Sequence, residues 1–300
     1  MSSYKGLLDF ISHFPTDQAC KAHLAALKWH RGYTCKKCGH TTSVKGATAH
    51  HRRCQRCGYD ESPTANTLFH KVKFPLVKAF TIVYQLTTMK KGMSSAEIAR
   101  QHNIHQETAW YFKQKVMRAM AASQTAPLNG LVEVDETTIG GYEKGKPGRS
   151  QSKKKKVQIA VEIDYPEGKG APKIRRADAR LINSYTADEL GRVIDEMVDK
   201  QALISTDGLR AYQKAVGQRD HLVWPSEQGT NFEKLHWMIF NLKNWLRGIH
   251  HKISNEHARY YLSEFFFRFN NRNWIDKCAD RVIKLMVKLP WMPYKQLIAA

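Results

Sequence analysis

Residues 132–142 read VEVDETTIGGY. Val132 and Val134 alternate with Glu133 and Asp135, the period of a strand with one apolar and one polar face. Gly140 and Gly141 let such a strand turn away at its end. Three carboxylates, Glu133, Asp135 and Glu136, fall within four positions of an apolar segment, and burial there disfavours their charge unless a cation answers it. The surrounding chain is basic: Lys plus Arg number 48 against 27 Asp plus Glu, a formal net charge of +21. Asp135 is the expected metal-binding member of the trio, with Glu133 and Glu136 as supporting groups.

An excess of this size points to a polyanion, nucleic acid before an anionic membrane surface, because neutralised phosphates release counterions. Three hundred residues with a hydrophobic fraction of 42% suggest two domains and a small third. No run of about 18 apolar residues predicts a transmembrane helix. The opening MSSYKGLLDFISHF lacks the layout of a signal peptide. The expectation is therefore a soluble, cytoplasmic, nucleoid-associated protein with no membrane partner.

Four of the six cysteines form two knuckles, CKKCGH at 35–40 and CQRCGY at 54–59. In a reducing compartment, spaced pairs read as metal ligands. Cys35, Cys38, Cys54 and Cys57 are expected to hold one tetrahedral Zn2+ in a ribbon, the glycine after each second cysteine allowing the turn. His40, His50 and His51 are read as loop residues, Cys20 and Cys278 as buried thiols. Farther on, SSAEIARQHNIHQETAWYFKQKVMRAM (94–120) offers a serine-capped helix, a turn at His102–Asn103 and a second helix from about Gln106. That spacing predicts a helix-turn-helix presenting Gln106, Glu107, Thr108, Tyr111 and Lys113 to a major groove.

After the acidic strand comes a polar, lysine-rich stretch at 143–156, read as an exposed loop. VQIAVEID (157–164), KIRRADARLI (173–182), ALISTDG (202–208) and DHLVWP (220–225) read as strands, with a capped helix at 186–200 and long helices near the end. Three strands, a helix, two strands and a long helix is the order of a ribonuclease-H-like α/β core. It makes Asp135 and Asp207 neighbours in a mixed sheet. Two adjacent carboxylates suit Mg2+ or Mn2+, and a two-ion site activates an attacking oxygen and stabilises a leaving one.

The ordered set of CxxC-x15-CxxC, VEVDETTIGG, STDG, HWMIFNLKNWLRGIHHKIS and HARYYLSEFFFRFNNR resembles the ISXO-type insertion-sequence transposases, a zinc-ribbon branch of the DDE class. The resemblance implies cleavage of element ends and joining of their 3′-hydroxyls to target DNA, with Mg2+ (or Mn2+), double-stranded DNA as partner and a homo-oligomer on it. It also implies a third ligand on the long helix. Seven residues before Lys243 stands His236, with Asn241 as the family-like alternative and Glu233 and Glu264 as the carboxylates nearby. Lys243, Lys252 and Arg247 would contact phosphates. Trp237, Trp245, Phe265, Phe266 and Phe267 are expected in the core. The domain reading is 1–70 for an N-terminal helix and ribbon, 71–125 for the helix-turn-helix, and 126–300 for the catalytic core. A DNA-binding protein that has lost chemistry, and a metal-dependent nuclease without strand transfer, are the alternatives.

Overall fold

A computed structural model describes residues 2–123, 126–141, 154–165, 170–225, 227–250 and 253–298. The basic stretch at 143–156 thus lies outside the described residues up to 153, as does Lys252. The chain forms two compact units, Met1–Ser123 with Asn273–Ala300, and Gln124–Arg272.

The first unit opens with α1 (Leu7–His13) and α2 (Asp17–Lys28), the latter capped by Thr16, whose side chain accepts the Ala19 N–H. A small antiparallel sheet follows, β1 (Ser43–Lys45), β2 (Arg52–Cys54) and β3 (Asp60–Glu61), in that order. Then come α3 (Leu76–Thr88), α4 (Ser95–His102) and α5 (Gln106–Ala121). Helix α3 is apolar almost all round, burying Phe80, Ile82, Val83 and Leu86 among others, as suits a helix enclosed by its neighbours. Ser94 caps α4 by accepting the Glu97 N–H, and Asn103 ends it in the left-handed region (φ 47°). Asparagine tolerates that conformation, and so the turn falls where the sequence puts it.

The second unit is built on five strands: β4 (Leu131–Ile139), β5 (Lys155–Asp164), β6 (Lys173–Ile182), β7 (Leu203–Thr206) and β8 (His221–Val223). Their order across the sheet is β6-β5-β4-β7-β8. β4–β5 and β5–β6 are antiparallel; β4–β7 and β7–β8 are parallel. The element order and the central place of β4 agree with the expected mixed sheet. Helices α6 (Ala187–Met197) and α7 (Ala211–Ala215) supply Leu190, Val193, Ile194, Met197 and Tyr212 to a core shared with Val132, Val134 and Ile204. Those α6 residues recur at helical spacing, one apolar stripe against the sheet.

Helices α8 (Glu233–Ile249) and α9 (Asn255–Asn270) complete the unit, α8 on β4 and β5, α9 on β6. Leu235, Met238, Ile239, Leu242 and Leu246 form the buried seam of α8. Asn270 pairs with the backbone of the outer strand, its Oδ1 accepting the Ala177 N–H at 2.9 Å and its Nδ2 donating to the Ala177 carbonyl at 2.8 Å. Trp245, Phe266 and Phe267 are buried as expected and Phe265 is half-buried, but Trp237 is 53% exposed. Its position on α8 is about 160° around the helix from Leu235 and about 140° from Leu242, so it misses the seam.

From Asn273 the chain returns to the first unit through α10 (Ile275–Lys288) and α11 (Tyr294–Ile298). Helix α10 packs on α2, α3 and α5. Residues 273–300, assigned by sequence to the catalytic core, are thus grouped with the first unit.

Candidate active site

The cysteine knuckles are near copies in three dimensions. The Cys35 N–H donates to the His40 carbonyl at 2.8 Å and the Gly39 N–H to the Cys35 carbonyl at 2.9 Å. Cys54 with Tyr59, and Gly58 with Cys54, repeat the pattern at 2.9 and 3.0 Å. Gly39 (φ 74°) and Gly58 (φ 68°) hold the left-handed conformation that the turns need. The four sulfurs lie within 4.8 Å of one another, with Cys35–Cys57 and Cys38–Cys54 each 3.6 Å apart. Burial raises the Cys35 thiol, yet the N–H groups of Lys37 and Cys38 outweigh it and hold the thiol down at about 6. Such a set fits a tetrahedral thiolate-bound ion. Trp29 and Tyr33 back the cluster, and the Arg52 guanidinium lies 5.0 Å from the Trp29 ring. Cys20 and Cys278 are buried, and burial pushes their thiols up to about 12 and about 11.

Helix α5 departs from the groove-facing expectation. Gln106 and Glu107 are exposed and Thr108 half-buried, but Lys113 is 1% exposed and its Nζ donates to the Met93 carbonyl at 2.5 Å. Lys113 is therefore a structural residue rather than a groove contact. Tyr111 donates its hydroxyl to the Met292 carbonyl. Lys115 is buried beside it, its Nζ donating to the His70 carbonyl at 3.1 Å, and burial lowers its amine to about 8. Gln106 and Glu107, in the first turn, are the exposed residues of α5.

The acidic pair sits in the second unit. In the parallel ladder Glu133 faces Ser205 and Val134 faces Thr206; Asp135 is the next residue of β4, and Asp207 is the first residue after the end of β7. Side chains opposed in a ladder point to one face. Val132 and Val134 go to the α6 face, and Glu133, Asp135 and Ser205 go to the α8 face; Asp207 follows at the end of β7. Adjacent strands lie about 4.8 Å apart, a spacing compatible with two ions about 3.5–4 Å from each other. One oxygen of each aspartate is held by backbone: Asp135 Oδ1 accepts the Glu136 N–H at 2.7 Å, and Asp207 Oδ1 accepts the Leu209 N–H at 3.0 Å. The pair is open; among the described residues only the cysteines close three or more such ligands within 4.8 Å.

Helix α8 brings His236 to this pair, with Nε2 3.6 Å from Asp135 Oδ2. Lys243 lies two turns on, within about 20° of His236 around the helix. Burial lowers its ammonium, the nearby charges of Lys154 and Arg247 lower it further, and Asp135 opposes them. Asn241 stands about 140° around the helix from His236, and its Nδ2 donates to the Trp237 carbonyl at 2.8 Å. The helix thus turns Asn241 away from the flank that meets Asp135. Glu233 is exposed beside Lys234. Glu264 is buried and bonded to Arg268 at 2.6 Å.

Two residues carry more of the site than the sequence suggests. Glu133 is 8% exposed, and its Oε2 is buried with no hydrogen-bond partner among the described residues. Burial raises its carboxyl to about 7 against the Leu235 N–H and the charges of His236 and Lys234. Tyr212, fully buried on the opposite face, has its hydroxyl raised by burial and by the charges of Glu136, Asp135 and Asp207. The signal for Glu133 was its two-residue spacing from Asp135; Tyr212 lies in a helix too short to be foreseen.

Residues 127–270 match the family described as "ISXO2-like transposase domain". They span all five strands with α8 and α9, so the sheet-bearing unit is a transposase domain. Within that class it belongs to the ISXO2-like family. None of the curated proteins matches the sequence. Among solved structures the chain is similar to "Mos1 transposase paired-end complex with left transposon end", at 12% identity over 70% of this chain and 78% of that one, TM-score 0.29. It is similar also to the mariner Mos1 paired end complex with Mg, at 11% identity, 70% and 79% coverage and TM-score 0.26. At such scores the likeness transfers no residue and no ligand to this chain.

Proposed function

We propose that this protein is the DNA transposase of a bacterial insertion sequence, binding element ends and performing metal-dependent strand cleavage and 3′-hydroxyl strand transfer. The observation that carries the reading is that Asp135 on β4 and Asp207 just past the end of β7 directly follow the paired residues Val134 and Thr206 of adjacent parallel strands. Each carboxylate is oriented by a backbone N–H on one oxygen, so the other is available to a hard cation. Two bound Mg2+ or Mn2+ ions would activate the attacking oxygen and stabilise the leaving one. His236 orients Asp135 from the helix side, since imidazole is a poorer ligand for Mg2+ than a carboxylate. Lys243, with Arg247 beyond it, holds phosphate oxygens and fixes the scissile strand over the pair.

The four cysteines would hold Zn2+ and keep the ribbon folded, with Arg52, Arg53 and Arg56 near it for phosphate contact. Gln106 and Thr108 at the start of α5 would read base edges, as the N-terminal residues of a recognition helix do. Joining two element ends calls for at least two copies on DNA. The test is Asp135→Ala and Asp207→Ala in a strand-transfer assay with cognate ends. Joining should be lost in Mg2+ and in Mn2+ while end binding stays within about twofold, because the helices and ribbon that bind ends are untouched. Full joining by both variants would refute the reading.

A further inference from the structure

Helix α8 carries a second feature that its packing does not use. Counting about 100° per residue, His236, Phe240, Lys243 and Arg247 fall within an arc of about 60°. They make a stripe about 16 Å long, which begins where His236 meets Asp135. Phe240 is 62% exposed and Trp237, one turn before it and beside the stripe, 53% exposed. Among the described residues neither ring stacks on another, whereas Trp245 of the same helix is buried against Phe265, 5.5 Å between centroids.

An exposed aromatic beside two cations selects its occupant. An apolar face on another protein would have to bury Lys243 and Arg247 without an answering charge, which is costly. A base-paired duplex offers phosphates but keeps its base faces stacked inside. An unpaired strand offers both, phosphates to the cations and a π-face to the ring, which is how sequence-tolerant single-strand binding works. The charge of the whole chain, +21, favours a nucleic acid over an apolar protein face.

We infer that the outer flank of α8 is a binding site for unpaired nucleotides, with Phe240 and Trp237 as stacking platforms and Lys243 and Arg247 on the phosphates. This deepens the transposase reading and rests on it for the source of the strand, the end opened at the cleavage point. The stripe leads that strand to the carboxylates and keeps it from re-annealing.

The experiment uses the full-length, zinc-loaded protein in buffer without magnesium. Probes are a fluorescein-labelled oligothymidylate, a blunt duplex of equal length, and a single strand carrying 2-aminopurine. Phe240→Ala and Trp237→Ala remove only exposed rings, and circular dichroism verifies their folding. Each is expected to weaken single-strand binding about tenfold, to change duplex binding less than twofold, and to abolish the quenching of 2-aminopurine seen with the wild type. Unchanged single-strand affinity, or an equal loss on both probes, would overturn the proposal. So would a shift from dimer to monomer in sedimentation with single-strand binding intact, since that assigns the face to a second copy. These readouts need no catalysis, so failure of the aspartate variants to abolish joining would leave them standing.

Discussion

His236 Nε2 and Asp135 Oδ2 stand 3.6 Å apart, joining the long helix to the central strand at the acidic pair. A base therefore occupies the place on α8 where DDE-type resemblance leads one to expect an acid. Changing His236→Glu places a third carboxylate there. Divalent ions should then bind about tenfold more tightly by titration calorimetry, with Mg2+ gaining more than Mn2+, because hard cations prefer charged oxygen. If binding were unchanged, His236 would not face the ion path.

Glu133 should give the protein a pH-dependent stability. Its carboxyl sits near 4.5 when unfolded and is raised to about 7 in the fold, chiefly by burial. The folded state binds the proton more tightly, so this contribution is complete below about pH 4.5 and is lost as pH rises through 7. The full loss is about 3 kcal/mol. Glu133→Gln should flatten the decline in urea-unfolding free energy between pH 5 and pH 7.5; an unaltered decline would place the titration elsewhere.

Lys113 is expected to matter for folding and not for DNA. Replacing it with methionine leaves the Met93 carbonyl without its donor, at a cost of about 1–3 kcal/mol. The salt dependence of DNA binding should keep its slope, since no phosphate contact is removed. A slope reduced by about one would restore Lys113 to the groove.

Serine in place of Cys35 or Cys54 breaks a four-sulfur set. Zinc content by atomic emission should fall from one per chain to near zero, and residues 33–61 should become the first site of limited proteolysis. Retained zinc would mean that another ligand replaces the lost sulfur.

The alternation of Val132, Glu133, Val134 and Asp135 was legible because strand period alone sorts the faces, and the ladder did the rest by setting Val134 against Thr206. The knuckles were legible for the same local reason: glycine after cysteine fixes the turn. Helix α5 was not. Lys113 and Lys115 look like solvent-facing cations in sequence, and only tertiary enclosure with backbone carbonyls in reach explains their burial. Asn241 lies on another flank of α8 than His236, a matter of helix phase that spacing from Lys243 alone does not convey. Trp237 was expected inside on composition, although its position falls outside the seam of α8.

The chain leaves the first unit after Ser123 and re-enters it at Asn273, so the sheet-bearing unit is an insertion in the loop between α5 and α10. On the ribosome, the helices and ribbon of the first unit are made before the sheet but stay incomplete until α10, which follows it in the chain. A prematurely terminated product would carry a finished sheet beside an unfinished partner, exposing the α3 and α5 surfaces that α10 covers. Such fragments would be ready substrates for proteases, so truncation would remove the protein rather than release the sheet unit free of its companion.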